Sequence, residues 1–153
     1  MALYLVQHGK SLSKAQDPRK GLSQEGLREV QMISQVAAQY QIKVRRIDHS
    51  GKQRALQTAE ILGAALQPSE GVQAVEGMNP LDDVVRFAST LRMPQDRMLV
   101  GHLPFLEKLI AFLITGKEDP PVFKLQNGGI VCLDHYPEST NVVVKWALMP
   151  DVS

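Results

Sequence analysis

The stretch Leu3-Tyr4-Leu5-Val6-Gln7-His8-Gly9-Lys10-Ser11 decides how the fold is read. Ala2 to Val6 is a short unbroken apolar run, the pattern of a strand buried on both faces. It breaks at Gln7-His8-Gly9 into a polar loop from Lys10 to Gly21 that contains Pro18. Ser23 then offers a cap for a helix reaching about Tyr40. Its apolar positions Leu27, Val30, Ile33, Ala37 and Tyr40 recur at spacings of three and four, as one helix face requires.

The same alternation continues outward. Arg46 to His49 reads as a second strand, Ser50-Gly51 as a turn, and Lys52 to Leu66 as a helix rich in Ala, Leu and Gln. Val72 to Val75 is a third strand, and Pro80 opens a helix expected to reach about Leu91. Arg97 to Val100 is a fourth strand, and Pro104 opens a helix ending near Gly116. Ile130 to Leu133 and Val142 to Trp146 close the chain as a hairpin around Pro137, Glu138 and Ser139. Strands alternating with helices predict an α/β fold: a mostly parallel central sheet flanked by helices on both faces, in a single compact domain over 1–153. The last two strands need not be parallel.

The 153 residues are 44% hydrophobic and 22% charged, the balance of a soluble globular chain. A net charge of +1 and the lack of any Lys/Arg run argue against an extended nucleic-acid surface, while a local basic cluster for a small anion stays open. The single cysteine, Cys132, has apolar neighbours and reads as a buried strand thiol in a reducing compartment. No apolar stretch approaches the ~20 residues of a membrane span, and no basic leader precedes the first strand, so a cytoplasmic location is expected. Nothing in the pattern sets an oligomeric state.

In a sheet of this kind ligands bind beyond the carboxyl ends of the strands. There the sequence places Gln7-His8-Gly9-Lys10-Ser11, Ser50-Gly51-Lys52-Gln53-Arg54 and Gly101-His102-Leu103-Pro104. Imidazoles, a guanidinium and the N–H groups of helix N-termini are the parts of an oxyanion site. His49 and His135 read as structural residues.

These segments also carry a resemblance. Leu3 to Ser11 resembles the Arg-His-Gly opening of the histidine phosphatase (phosphoglycerate mutase-like) superfamily. Ser50-Gly51-Lys52-Gln53-Arg54-Ala55-Leu56-Gln57-Thr58-Ala59-Glu60 resembles its second motif, and Val100-Gly101-His102-Leu103-Pro104-Phe105-Leu106 its Gly-His-x-Pro third. The order is the same, the resemblance runs from Leu3 to about Leu113, and Gly128-Gly129 before the late strand fits it. Short length, Leu22-Ser23-Gln24-Glu25-Gly26 and Asn79-Pro80-Leu81-Asp82-Asp83 point to the SixA-type phosphohistidine phosphatases, although Gly21 stands where that subgroup has Pro.

The resemblance implies a metal-independent phosphatase without a cofactor, acting on a protein phosphohistidine or a small phosphate ester; mutases generally carry more sequence around the site. It makes His8 the nucleophile that forms a phosphohistidine intermediate, with Arg54 and His102 as its catalytic partners. Gln7, Arg54, His102, Ser11 and Lys20 would bind the phosphate, Arg19 being the other basic residue before the Leu22 segment. Glu76 is the candidate general acid, with Asp82 and Asp83 behind it. One position departs from the family: Gln7 stands where it has Arg. A neutral amide has no guanidinium fork. Charge-assisted hydrogen bonds contribute about 1.5–3 kcal/mol where neutral ones contribute about 1. Either Lys10, Arg19 or Lys20 compensates, or turnover is slow, or the chain is an inactive member that binds phosphorylated ligands.

Overall fold

The computed structural model describes residues 2–92 and 95–152; the ends of the expected domain, Met1 and Ser153, lie outside the description with Met93 and Pro94. Ten elements follow in the order β1 (Leu3–Gln7), α1 (Gln24–Gln39), β2 (Arg46–His49), α2 (Gln53–Leu66), β3 (Val72–Ala74), α3 (Val84–Ser89), β4 (Arg97–Gly101), α4 (Phe105–Thr115), β5 (Ile130–His135) and β6 (Val142–Leu148). The strands form one sheet in the order β3-β2-β4-β1-β5-β6. β1 pairs parallel with β4, and β2 parallel with both β4 and β3. β5 and β6 are antiparallel to their neighbours. The expected α/β architecture is therefore present, its parallel part built by the first four strands.

β1 alternates between the two faces because successive side chains of a strand point to opposite sides. Tyr4 and Val6 pack with Ile33 and Ala37 of α1 and Ala55, Ala59 and Leu62 of α2. Leu3 and Leu5 pack on the other face with Val84 and Phe87 of α3 and Phe105, Leu109 and Ile110 of α4. Cys132 is buried in the first of these clusters. Asp48 is fully buried in the middle of β2, and Arg46 and Arg97 hold its carboxylate.

Ser23 caps α1 as expected: its hydroxyl accepts from the Gly26 N–H at 3.0 Å. Gly26 lies against the first loop, where a Cβ would stand 2.1 Å from the Lys10 carbonyl oxygen, so only glycine fits there. The helix expected from Pro80 is shorter, Val84–Ser89. Asp82 accepts from the Asn79 N–H at 2.8 Å, and Asp83 caps α3 by accepting from the Arg86 N–H at 3.0 Å. Asp82 thus closes a turn with Asn79 and Asp83 starts the helix after it, which leaves Pro80 outside α3. Among the described residues no helix is long and apolar enough to cross a membrane.

Candidate active site

β1, β2 and β4 end at one edge of the sheet, and the residues after them meet there. The His8 N–H donates to the Gly101 carbonyl at 3.0 Å, joining the ends of two neighbouring strands. The His8 and His102 rings stand with centroids 5.0 Å apart, tilted by 53°. Arg54, in the first turn of α2, donates from Nε to His8 Nε2 at 3.3 Å. The three far-apart motifs thus converge.

Local hydrogen bonds fix how His8 is presented. Its Nδ1 lies 2.7 Å from the Gly9 carbonyl oxygen, which can only accept, so Nδ1 carries the proton and Nε2 the lone pair. The Gly9 N–H donates to Thr58 Oγ1 at 3.0 Å, and that hydroxyl donates to the Arg54 carbonyl at 2.8 Å. Asn127 Nδ2 donates to the His8 carbonyl at 2.9 Å. His102 is 1% exposed; its Nε2 lies 2.6 Å from Ser50 Oγ, and its Nδ1 is buried without a hydrogen-bond partner.

Burial sets the charge of both rings. Desolvation, with the Arg54 and Lys20 charges adding to it, lowers the His8 pKa from 6.5 to about 4 against the opposing Gly9 hydrogen bond. Desolvation lowers that of His102 from 6.5 to about 3, with further contributions from His8, Arg54, Lys52 and Lys20. Burial also lowers the Arg54 pKa. At neutral pH two uncharged imidazoles therefore face a guanidinium.

The other expected residues are placed unequally. Lys20 lines a basic cavity with Arg54, Lys52, Arg19 and Lys14. Ser11 is half-buried and bridges to Leu22 across the first loop. Gln7 is 9% exposed and lines a different cavity with Lys10, Glu29 and Asn127; its amide carbonyl is buried without a partner. Lys10 is taken by Glu25 and Glu29 at 2.8 and 3.4 Å. Glu76 is exposed and lines a third cavity with Asp82, Asp83 and Arg97, which none of His8, Arg54 and His102 lines. His49 is buried, and its Nδ1 accepts from the Gly51 N–H at 3.1 Å. Among the described residues no group of three or more His, Cys, Asp and Glu gathers to hold a metal.

Sequence reasoning gave no role to Ser50, Thr58 or Asn127. Ser50 and Thr58 stand inside the second motif, and Thr58 follows Arg54 by four residues, one helical turn, which is the signal that would have found it. Asn127 has no local signal.

No protein-family model and no curated protein matches the chain. Among solved structures, the protein histidine phosphatase SixA complexed with tungstate superposes with a TM-score of 0.82 at 23% identity, covering 98% of this chain and 97% of that one. A SixA from Agrobacterium tumefaciens gives 0.77 at 23% identity, covering 97% of each chain. The mycobacterial glucosyl-3-phosphoglycerate phosphatase complexed with VO3 gives 0.70 at 16% identity, covering 95% of this chain and 97% of that one. At these identities the likeness establishes the fold: the chain is built like these phosphatases over essentially its whole length.

Proposed function

We propose that the protein is a metal-independent phosphatase that passes its phosphoryl group through His8. The observation carrying this reading is the pinned His8 tautomer: Nδ1–H on the Gly9 carbonyl and Nε2 beside Arg54. Nε2 attacks phosphorus as the bond to the leaving oxygen or nitrogen breaks, giving phosphohistidine; water then attacks phosphorus and returns neutral His8 and phosphate. Charge spreads over the equatorial phosphoryl oxygens in such a transfer. Arg54 turns its N–H groups from His8 to those oxygens, and His102 meets the same charge from the far side of the pocket. Lys20 adds a cation at the entrance. Ser11 and the Gln7 amide are the remaining phosphate contacts of this proposal. Glu76, solvated on its own cavity, is the only candidate acid kept; a phosphoramidate substrate, whose leaving nitrogen can be protonated beforehand, lessens the need for one. The solved relatives hold tungstate and VO3, oxyanions of phosphate-like shape, which supports a phosphorylated substrate, protein phosphohistidine or a small ester.

The test follows the covalent step. With a labelled phosphoryl donor, the wild type should retain acid-labile, base-stable label and hydrolyse p-nitrophenyl phosphate or a phosphohistidine peptide. His8→Ala should do neither while keeping its melting temperature. Label persisting in His8→Ala would move the nucleophile elsewhere. A second reading, a module that binds phosphorylated ligands without turnover, draws on Gln7: the position carries no charge, and the residue lines another cavity. Binding without label or hydrolysis would favour it.

A further inference from the structure

Beside the His8 pocket lies an open depression whose lining is almost entirely cationic. Of its seven residues five are Lys14, Arg19, Lys20, Lys52 and Arg54, and none is acidic. The whole chain carries a net charge of only +1, so this is a local concentration and not a reflection of composition. Elsewhere Lys10, Arg45, Arg46 and Arg97 each face a carboxylate within 4 Å. Among the described residues none of these five side chains forms an ion pair. Asp17, the acid nearest in sequence, is committed to the backbone: it accepts from the Arg19 and Gly21 N–H groups at 3.0 and 2.9 Å.

The loop that carries three of the cations is built, not loose. Leu12 N–H donates to the Gly21 carbonyl at 2.8 Å, and Leu22 N–H to Gln57 Oε1 on α2 at 2.7 Å. Lys20 sits at φ +52°, a left-handed conformation that a lysine adopts at a cost, held there by its N–H on the Asp17 carbonyl at 2.9 Å. Like charges gathered on a fixed scaffold repel one another and lower stability unless an anion joins them. Arg54 belongs both to this depression and to the pair with His8, so one side chain borders both.

We propose that the ligand of the His8 site bears a second anionic group beside its reactive phosphoryl, and that Lys14, Arg19, Lys20 and Lys52 hold that second group. The inference rests on the phosphatase reading for the place of the first group, and it names the substrate class: a phosphorylated species with a further phosphate or carboxylate next to the phosphoryl. A small polyanion and an acidic stretch of phosphorylated polypeptide share that chemistry.

The experiment compares affinities by calorimetry. Orthophosphate and pyrophosphate form one probe pair. Phosphoserine peptides flanked by aspartates or by asparagines form the other. Exposed cation–anion contacts are modest singly, about two- to five-fold each, so several together should favour the more anionic member of a pair by about tenfold or more. The Lys14→Gln/Arg19→Gln/Lys52→Gln triple variant should reduce that ratio at least fivefold, and added salt should reduce it in the wild type. A control removing Lys43, Lys108 and Lys117, which lie off this depression, should leave the ratio unchanged. A margin confined to pyrophosphate identifies a small ligand, and one confined to the acidic peptide a polypeptide. Ratios near one in both wild-type pairs, or ratios that survive the triple variant, overturn the proposal. A clear margin in a protein that hydrolyses nothing would uphold it while ending the phosphatase reading; hydrolysis without a margin would do the reverse.

Discussion

His8 and His102 owe their neutrality to burial before anything else, and that decides how a reaction through His8 should respond to acid. An ordinary histidine titrates at 6.5, whereas His8 is lowered to about 4. If Nε2 of neutral His8 attacks phosphorus, kcat/KM should hold level from pH 8 through 6 and fall only as pH approaches about 4, since kcat/KM reports the free protein. Proton NMR of the two imidazoles should show the same plateau. A fall centred near 6.5 would mean that the ring is solvated or is not the attacking group. The residues of this cluster were legible in the sequence to different degrees. His8 and His102 each follow a strand directly and Arg54 opens the helix after β2, so placing the strands and that helix placed them. Asn127 reaches the His8 carbonyl across 119 positions, and no periodicity carries that distance. The direction of the Gln7 side chain was hidden for another reason. A side chain at the last residue of a strand is aimed by the turn after it, here one tied down by Gly128, whose N–H donates to the Gln7 carbonyl at 2.8 Å.

At the scale of elements, α1 and the first loop are built as one piece. The α1 N-terminus presses on Lys10 where a Cβ at position 26 would meet backbone, and backbone yields less readily than a side-chain tip. Gly26→Ala should therefore destabilise the fold by about 1–3 kcal/mol, as overpacked sites do, in spite of alanine's better helix propensity. Urea denaturation measures this; a neutral or stabilising result would show that the helix can slide away from the loop. The loop carries Lys14, Arg19 and Lys20, so the same variant should also weaken orthophosphate binding. Elements governed by periodicity were legible: α1, α2 and α4 begin and end within a residue or two of expectation. The helix expected from Pro80 was not, because proline tolerates both a first helical turn and an irregular one. Asp82 and Asp83 made the choice through hydrogen bonds that composition does not reveal.

For the molecule as a whole, His8 and His102, whose desolvation lowers their pKa values furthest among the histidines, couple stability to pH. Their pKa values in the folded chain, about 4 and about 3, lie below the 6.5 of the unfolded one. Between about 6.5 and 4 the unfolded chain therefore binds more protons than the folded one. Stability is complete above that window and declines as pH falls through it. The melting temperature should drop across the same interval, and His102→Asn, which removes one of the two groups, should make the decline shallower. A melting temperature flat from pH 7 to 4 would contradict the lowered pKa values of both rings. The overall architecture was legible because strand and helix patterns alternate without interruption; the strand order was not, because no local signal says that β4 inserts between β1 and β2.

That order has a kinetic consequence. β1 sits between β4 and β5, and its partners Arg97 to Gly101 and Ile130 to Leu133 lie about a hundred residues later in the chain. A ribosome making about 5–20 residues per second exposes β1 for several seconds before either neighbour emerges. Throughout that interval a strand that ends up buried at every position is unpaired, and loop closure over such a distance is slow compared with helix formation. His8 acquires its setting only once β4 has threaded between strands already made, so nascent chains stalled before Gly101 should bind no orthophosphate and should be the form most dependent on chaperones.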